Sequence, residues 1–368
     1  MILTRTPFRV SFFGGGTDYP VWYEQNGGGA VLSTTINKYC YISCRYLPPF
    51  FDYKYRIRYS YREETKSISE IKHVSVRECL KYLKIDRGIE MVHTSDLPAR
   101  SGIGSSSSFT VGFLNSLYAL TGQMVSKRKL ALDSIHVEHN LIKENVGSQD
   151  QVAAAFGGFN KIMFGEEERI VVQPVTVSQE KLDLLQDHLM LFFTGLSRNA
   201  SDVAKDQIEN MSSRKDELRT MRGMVDEGIS ILNGRIDSFD SFGRLLDEAW
   251  KIKRELSRVI TNSTIDEIYN TAIRAGALGG KLLGAGSGGF IIFYVPPENR
   301  WRVRKMLEDL VYVSFRFETL GSQIILYTVQ DLPSLSIQEY QHGYSHVGER
   351  DTALEHSGRS SETDSRRG

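Results

Sequence analysis

A glycine- and serine-rich loop that leads into an apolar helix constrains this chain more than any other stretch. The loop lies within residues 96–112 (DLPARSGIGSSSSFTVG), and apolar residues at Phe109, Phe113, Leu114 and Leu117 then recur with helical spacing. At such a helix N-terminus, free backbone N–H groups and the positive end of the helix dipole favour an anion such as a phosphate. The commoner P-loop is excluded, because no Lys-Ser/Thr pair closes the glycine run. An ordinary capped helix behind a solvated serine loop is the alternative interpretation.

Composition and charge exclude several classes of partner. At 368 residues the chain is long enough for two domains, and its 45 Lys and Arg residues balance 45 Asp and Glu residues. No overall field therefore favours nucleic acid or a membrane surface. No apolar run reaches membrane-spanning length, no signal peptide is evident, and three cysteines cannot form a disulfide framework. We expect a cytoplasmic protein without a nucleic-acid or membrane partner.

A second glycine-rich stretch lies near the N-terminus. Residues 2–13 are typical of a strand, and Gly14, Gly15 and Gly16 follow them directly, with Asp18 two residues later. Three glycines let the backbone approach a ligand closely, and a carboxylate there can accept a hydrogen bond from a sugar hydroxyl. The stretch is either such a site or a plain turn.

Two acidic residues stand out after the central loop. Residues 127–145 predict a helix, in which Glu138 shares a face with Leu141. This helix also carries the sequence HVEH, but the HExxH pattern of a zinc protease is absent, so we expect no zinc site. Residues 147–158 (GSQDQVAAAFGG) then place Asp150 in the first turn of a helix, where the dipole favours an ionised carboxylate. Asp150 is either a helix-terminal charge or a carboxylate that faces a substrate hydroxyl.

A third glycine-rich stretch, residues 279–295 (GGKLLGAGSGGFIIFYV), has the spacing GxGxxG. A dinucleotide site requires a strand before these glycines and a helix after them. Here the helix-like residues 265–277 precede the glycines and an apolar strand follows, so the Rossmann interpretation fails. A glycine-rich turn that packs against a ligand or against the central loop remains. Between these motifs, apolar stripes such as Phe242 to Leu256 predict long helices whose stripes serve core packing.

Together the three stretches resemble, in order and separation, the signature motifs of the GHMP small-molecule kinases, over about residues 1–330. Residues 7–19 resemble the first motif, residues 98–107 the second (usually written PxxxGLGSSA) and residues 281–289 the third. GGGTDYP and GSQDQVAAAFGG are most similar to the sugar-phosphate branch of the family, which acts on heptose phosphates. Galactokinase-like members usually carry Glu-His where Gly15-Gly16 stand, which argues against galactose as the substrate.

The resemblance implies an α+β fold with two domains and an active site in the cleft between them. A ribosomal-S5-like, ATP-binding domain is expected over residues 1–180, and a ferredoxin-like domain over residues 181–335. Residues 336–368 are polar, and we expect them to be a disordered tail. The oligomeric state stays open, with a homodimer as one alternative.

The resemblance also implies ATP- and Mg²⁺-dependent phosphoryl transfer to a hydroxyl of a sugar or sugar phosphate. Asp150 would be the catalytic carboxylate and Arg9 its basic partner, while Ser106 and Glu138 would hold Mg²⁺. The expected ATP-binding residues all lie in the second motif: Pro98, Ser101, Gly102, Ile103, Gly104, Ser105, Ser106, Ser107 and Ser108. The expected substrate-binding residues come from the first motif, the third motif and a segment between them, in which Arg198 would bind a substrate phosphate: Gly15, Gly16, Thr17, Asp18, Arg198, Gly284, Gly286 and Ser287.

Other functions stay open beside this one. The same family fold can phosphorylate a free sugar such as fucose or galactose, a homoserine-like alcohol or an isoprenoid alcohol. The polar GGGTDY turn favours a polyol over an isoprenoid. A catalytically silent sugar and ATP sensor would be expected to lose Asp150, Arg9 or the serine loop, and all are present. A pure interaction protein is supported only by the long helices and the tail.

Overall fold

Two β-sheets with helices against them make up the structure, a computed structural model that describes residues 1–166, 169–196, 200–236 and 239–328. Met1–Thr328 forms one compact unit. The larger sheet has nine strands among the described residues and the smaller has four. The predicted α+β class is confirmed. None of the helices in the described part of the chain combines the length and apolar character needed to cross a membrane.

The large sheet takes strands from both ends of the described chain. Its strands are β1 (Ile2–Phe13), β2 (Gly29–Tyr46), β3 (Tyr55–Arg58), β4 (Arg62–Thr65), β5 (Ile89–Ser95), β6 (Asn160–Phe164), β7 (Ile170–Pro174), β12 (Phe317–Glu318) and β13 (Gln323–Tyr327). The main path runs β13-β1-β2-β5-β3-β4, while β6 and β12 pair with β2, and β7 pairs with β6. β12 and β13, which the sequence suggested would belong to the second domain, thus pair with the sheet of the first. The domain boundary near residue 180 stays a prediction.

The small sheet is antiparallel and contains the third glycine-rich stretch. Its strands are β8 (Leu189–Phe193), β9 (Gly279–Leu282), β10 (Phe290–Tyr294) and β11 (Val311–Val313), in the order β11-β8-β10-β9. The glycines at 284–289 connect β9 to β10, which pair with each other. The loop is therefore a turn between two strands, so no dinucleotide-binding helix follows it.

Eleven α-helices are assigned within the described ranges: α1 (Pro20–Tyr23), α2 (Val74–Tyr82), α3 (Ser105–Leu120), α4 (Lys127–His136), α5 (Gln149–Phe156), α6 (Gln179–His188), α7 (Ala200–Asn210), α8 (Lys215–Asn233), α9 (Asp240–Glu255), α10 (Ser263–Arg274) and α11 (Arg300–Met306). The helix predicted over residues 127–145 is interrupted. α4 ends at His136, a π-helical turn spans Val137–Ile142, and Lys143 adopts a left-handed φ of 63°. Such wide turns are frequent at functional sites.

Close packing of α3 against β1 fixes the position of the serine loop. Thr4 Oγ1 lies 2.9 Å from Ser116 Oγ. Gly112 allows this approach, because a Cβ there would lie 2.6 Å from Thr6 Oγ1. The N-terminus of α3 is thereby held over β1, the strand that carries Arg9.

Candidate active site

A cleft of about 220 Å³ brings the three glycine-rich stretches together. Its walls come from β1 and the turn after it, the loop before α3, the start of α5, and residues of α7, α9 and β9. Segments far apart in the sequence therefore converge on one site. The lining includes Arg9, Asp18 and Asp150, three of the charged residues that the sequence singled out.

Arg9 and Asp150 form a two-pronged ion pair in this cleft. Arg9 Nε lies 2.7 Å from Asp150 Oδ1, and Nη2 lies 2.9 Å from Oδ2. The remaining nitrogen, Nη1, donates to the Gly102 carbonyl at 2.6 Å. The arginine is buried, whereas 21% of the Asp150 side chain is exposed. Arg9 thus balances the charge of Asp150, orients it, and ties both to the serine loop.

The serine loop places several donors at the N-terminus of α3. Gly104 precedes the helix with a left-handed φ of 74°, and a Cβ there would lie 3.2 Å from Arg9 Cγ and 3.3 Å from Asp150 Oδ2. Of the nine predicted ATP-binding residues, five line the cleft: Gly102, Gly104, Ser105, Ser106 and Ser107. The structure thus brings the free end of the helix next to the ion pair, an arrangement that suits a phosphate.

The other four predicted ATP-binding residues shape the loop from behind. Ser101 Oγ donates to the Pro98 carbonyl at 2.6 Å, and Ser108 Oγ donates to the Pro7 carbonyl at 3.0 Å. Ile103 is fully buried in the core. Pro98, Ser101, Ile103 and Ser108 are not among the residues that line the cleft.

The second and third glycine-rich loops pack backbone against backbone. A Cβ on Gly102 would lie 2.4 Å from the Leu283 carbonyl oxygen, and one on Gly284 would lie 2.5 Å from Gly102 Cα. Phe290 N also donates to the Ser101 carbonyl at 3.0 Å. Since both glycines have a positive φ, only glycine satisfies the conformation and the contact together.

The first glycine-rich turn presents Gly15, Gly16 and Asp18 to the cleft. Asp18 is buried, and its Oδ1 accepts from Gly16 N at 3.0 Å. Burial, together with the nearby charge of Asp150, raises the pKa of Asp18. Thr17 points elsewhere, because its hydroxyl donates to the Gly14 carbonyl at 2.8 Å, and it does not line the cleft.

The remaining predicted substrate residues differ in position. Gly284 lines the cleft. Gly286 packs against Ile260, while Ser287 N donates to the Ile260 carbonyl at 2.7 Å. The structure therefore does not bring Gly286 or Ser287 to the cleft. Arg198 lies outside the described residues.

Glu138 lies on the π-helical turn, behind the serine loop. It is fully buried, and its Oε2 accepts from Ser107 Oγ at 2.8 Å and from Gln151 Nε2. Oε1 has no well-formed hydrogen bond to any described residue, although Thr110 lies close enough to favour the ionised form. Burial raises the pKa of Glu138 to about 7.

The oxygen atoms of Glu138 and of the neighbouring serine can be compared with what the expected Mg²⁺ ion requires. A carboxylate oxygen without a strong partner, beside a serine hydroxyl, has the hard oxygen chemistry that Mg²⁺ requires, so the residues fit the ion. The serine that contacts Glu138 is Ser107, whereas Ser106, the predicted ligand, is exposed at the cleft. Ser107 is therefore a second candidate beside Ser106.

Two buried lysines of the cleft were missed from the sequence. Lys253 of α9 donates to the Gly284 carbonyl and lies 3.5 Å from the Leu282 carbonyl, while Lys281 of β9 donates to the Phe12 carbonyl at 2.8 Å. Burial lowers the pKa of both, that of Lys253 to about 8. The missed signal was a positive charge at helical spacing within the apolar stripe of α9, four residues after Ala249.

Known proteins resemble this chain over most of its length. Residues 72–158 match the family model of the GHMP kinases N terminal domain, and residues 235–310 match that of the GHMP kinases C terminal domain. The D-glycero-alpha-D-manno-heptose 7-phosphate kinase of Campylobacter jejuni is 28% identical over 319 residues, which are 83% of this chain and 93% of that protein. The L-fucokinase/L-fucose-1-P guanylyltransferase of Bacteroides fragilis is 24% identical, over 83% of this chain and 36% of that protein. The chain thus spans about a third of the length of this second relative.

A solved structure has a similar fold. The crystal structure of a D-glycero-D-manno-heptose 1-phosphate kinase from Bacteroides thetaiotaomicron superposes on this chain with a TM-score of 0.73. The two sequences are 22% identical, and the match covers 89% of this chain and 100% of that chain. At this identity, the likeness concerns the fold.

Proposed function

Since the chain belongs to the GHMP kinase family and carries both of its domains, we propose that it is a sugar kinase. It transfers the terminal phosphoryl group of ATP to a hydroxyl of a sugar or sugar phosphate. The observation that carries this proposal is the Arg9–Asp150 pair at the N-terminus of α3. Phosphoryl transfer needs positioning and charge neutralisation more than covalent catalysis, and this site offers both.

Asp150 and Arg9 act on the reacting hydroxyl in this proposal. The partly exposed carboxylate of Asp150 orients the sugar hydroxyl and takes its proton as the oxygen attacks the phosphorus atom. Arg9 holds that carboxylate with two hydrogen bonds and counters the charge that develops on the transferred group. The sugar oxygen bonds to the terminal phosphorus as the bond from this phosphorus to its bridging oxygen breaks, so ADP leaves with the bridging oxygen and the hydroxyl proton moves to Asp150.

The ATP phosphates bind the donors at the N-terminus of α3. Backbone N–H groups of this helix and the side chains of Ser105, Ser106 and Ser107 surround the position of the phosphates. Glu138 and Ser107, with Ser106 as the ligand predicted from sequence, would hold Mg²⁺, which when bound supplies charge neutralisation for the phosphates. The metal and ATP are both part of the proposal.

The substrate lies on the side of the cleft formed by the first glycine-rich turn. Asp18 accepts a hydrogen bond from a sugar hydroxyl, and Gly15 and Gly16 let the sugar approach the backbone. Arg198 stays a prediction for binding a substrate phosphate. We propose D-glycero-D-manno-heptose 7-phosphate as the substrate and its anomeric hydroxyl as the acceptor. The GGGTDYP motif and the similarity to the Campylobacter jejuni kinase support this choice.

A screen of ADP release tests the proposal. The purified chain is given ATP and Mg²⁺ with heptose 7-phosphate, free heptose, galactose, fucose or mevalonate, each in a separate reaction. We expect release with the heptose phosphate and none with mevalonate. Turnover of fucose or galactose alone would favour a free-sugar kinase, and binding of ATP without turnover of any sugar would favour a sensor.

A further inference from the structure

We propose that Lys253, Lys281 and Ser11 form a binding subsite for the phosphate that the sugar substrate already carries. This subsite makes the enzyme select sugar phosphates over free sugars. The inference rests on the proposed function and adds the residues that recognise the phosphorylated class of substrate.

Two buried ammonium groups reach the same cleft from different elements. Lys253 is 5% exposed and Lys281 is 3% exposed, and both line the cleft. In the described part of the chain, their hydrogen-bond acceptors are all backbone carbonyl oxygens, those of Gly284, Leu282 and Phe12. An ammonium has three N–H donors, so each lysine keeps donors for a ligand.

The surrounding residues compensate the burial of these two charges only in part. A buried cation is stabilised chiefly by an opposite charge, and carbonyl dipoles replace its hydration only in part. Burial accordingly lowers the pKa of Lys253 to about 8 and that of Lys281 well below its usual range, and the neighbouring Arg9 adds to both effects. The charge of Asp18 acts in the opposite direction on both lysines, and that of Asp150 on Lys253, but these carboxylates offset the effect only in part. A phosphate dianion between the two lysines would reverse this cost and favour their protonated forms.

Ser11 supplies an independent observation. It lies on β1 two residues after Arg9, so both side chains are on the same face of the strand. Ser11 is 5% exposed and lines the cleft, and its Oγ has no hydrogen-bond partner among the described residues. A buried hydroxyl without a partner is unfavourable unless a ligand completes its hydrogen bond.

The position of these groups favours the sugar phosphate over the phosphates of ATP. Ser11 and Phe12 belong to the end of β1, which leads directly into the Gly14–Gly16 turn and Asp18. The nucleotide phosphates are assigned in the proposed function to the N-terminus of α3. Both sources offer the same chemistry, a phosphate oxyanion, so the experiment must separate them.

The experiment compares Lys253→Met with Lys251→Met, since both variants remove one positive charge from the same helix. Lys251 is the matched control because it is exposed and pairs with Asp247. We expect Lys253→Met to lower kcat/KM for heptose 7-phosphate by about 10- to 100-fold, as for the loss of one charged hydrogen bond. The KM for ATP and the kcat/KM for free heptose should change much less than the kcat/KM for heptose 7-phosphate, because neither ATP nor free heptose places a phosphate in the proposed subsite. Lys251→Met should resemble wild type throughout.

Inorganic phosphate provides a second readout that does not require turnover of a free sugar. It should inhibit the wild-type enzyme competitively with heptose 7-phosphate, and Lys253→Met or Ser11→Ala should weaken this inhibition. Ser11→Ala removes only one hydroxyl, so it tests the subsite even if a lysine variant fails to fold.

Three results overturn the inference. An equal loss of kcat/KM for phosphorylated and free heptose would show that Lys253 only supports the structure. A higher KM for ATP alone would assign the lysines to the nucleotide. Unchanged inhibition by inorganic phosphate in both variants would remove the subsite. If the wild-type enzyme turns over heptose 7-phosphate in these cases, the proposed function still stands, whereas a wild type inactive on every sugar phosphate contradicts that function itself.

Discussion

The carboxylate of Asp150 meets the guanidinium of Arg9 through two hydrogen bonds of 2.7 and 2.9 Å, across 141 residues of sequence. β1 supplies the arginine and the first turn of α5 supplies the carboxylate. Because the arginine also binds the Gly102 carbonyl, one side chain connects the proposed catalytic base to the proposed phosphate loop.

Asp150→Asn should reduce kcat by about 10²- to 10⁴-fold, the range for loss of a general base. Asparagine keeps the shape of the side chain but cannot accept the hydroxyl proton. ATP affinity should be nearly unchanged, because the nucleotide donors lie on α3. Steady-state kinetics and calorimetric titration with a non-hydrolysable ATP analogue measure the two effects. Turnover within tenfold of wild type would remove Asp150 from the chemistry.

Arg9→Met should reduce the rate by about 10²- to 10³-fold, as for loss of one charge-stabilising donor. It should also lower the free energy of unfolding by about 1–3 kcal/mol, since Asp150 and the Gly102 carbonyl lose their partner. Arg9→Lys is the informative companion, because it restores the charge without the two-pronged geometry. Urea unfolding of the double variant Arg9→Met/Asp150→Asn should show less than the sum of the single effects. If the two single losses of unfolding free energy simply add up in the double variant, Arg9 and Asp150 are not energetically coupled.

Gly102→Ala should disrupt the contact between the second and third glycine-rich loops. The added methyl group would lie 2.4 Å from the Leu283 carbonyl oxygen. Gly122→Ala is a matched control, because Gly122 has a similar φ of 73° but no atom within 4 Å of the added group. Gly122→Ala should cost about 1–2 kcal/mol of unfolding free energy from the backbone alone, and Gly102→Ala should cost clearly more. Equal losses in urea unfolding would mean that the loops do not need this contact.

The pH dependence of stability should report the protonation of Glu138. Burial raises its pKa to about 7 from an ordinary value of 4.5. Between about pH 4.5 and 7, the folded metal-free protein binds a proton on Glu138 that the unfolded chain does not. Protonated Glu138 therefore contributes to the free energy of unfolding in full below about pH 4.5, and this contribution is lost as the pH rises through about 7. The total is on the order of 3 kcal/mol. Urea unfolding without Mg²⁺ between about pH 5 and 8 measures this pH dependence, and Glu138→Gln should remove it. An unchanged dependence of the unfolding free energy on pH in Glu138→Gln would contradict the prediction.

The serine that binds Mg²⁺ can be identified by two parallel variants. Sequence predicts Ser106, whereas Ser107 is the serine that contacts Glu138. If Ser107 is the ligand, Ser107→Ala should raise the Mg²⁺ concentration for half-maximal activity and Ser106→Ala should change it little. The reverse pattern would support Ser106. An unchanged magnesium titration in both variants would argue against a serine ligand.

Local patterns predicted much of the fold. The strand predicted over residues 2–13 is β1 (Ile2–Phe13), because the three glycines that follow it mark where the strand ends. The sequence placed the third glycine-rich loop between a helix and a strand, and this was only half right, because the short strand β9 lies between that helix and the glycines. The apolar strand predicted after the glycines is present as β10, so no dinucleotide-binding helix follows the loop. Glycine positions and strand alternation are local signals, so one sequence is enough to read them.

Long-range features were harder to predict. Lys253 is hidden within an apolar stripe, and only the tertiary contact with the Gly284 carbonyl shows that it faces a cleft. The π-helical turn at Val137 has no clear signature in apolar spacing, yet it is the turn that carries Glu138. The pairing of β13 with β1 depends on contacts across almost the whole chain. Each of these three features depends on contacts in the folded protein that the local sequence pattern does not show.

The pairing of Ile2 with Tyr327 has a consequence for how the protein forms. The strand that bears Arg9 can gain its outer neighbour only after the ribosome has produced nearly all the intervening chain. Contacts between residues so far apart in sequence slow folding, because the chain loses much conformational entropy before these contacts stabilise it. Nascent chains stopped before β13 would expose a hydrogen-bonding edge on β1 and should depend more on chaperones than the full-length product.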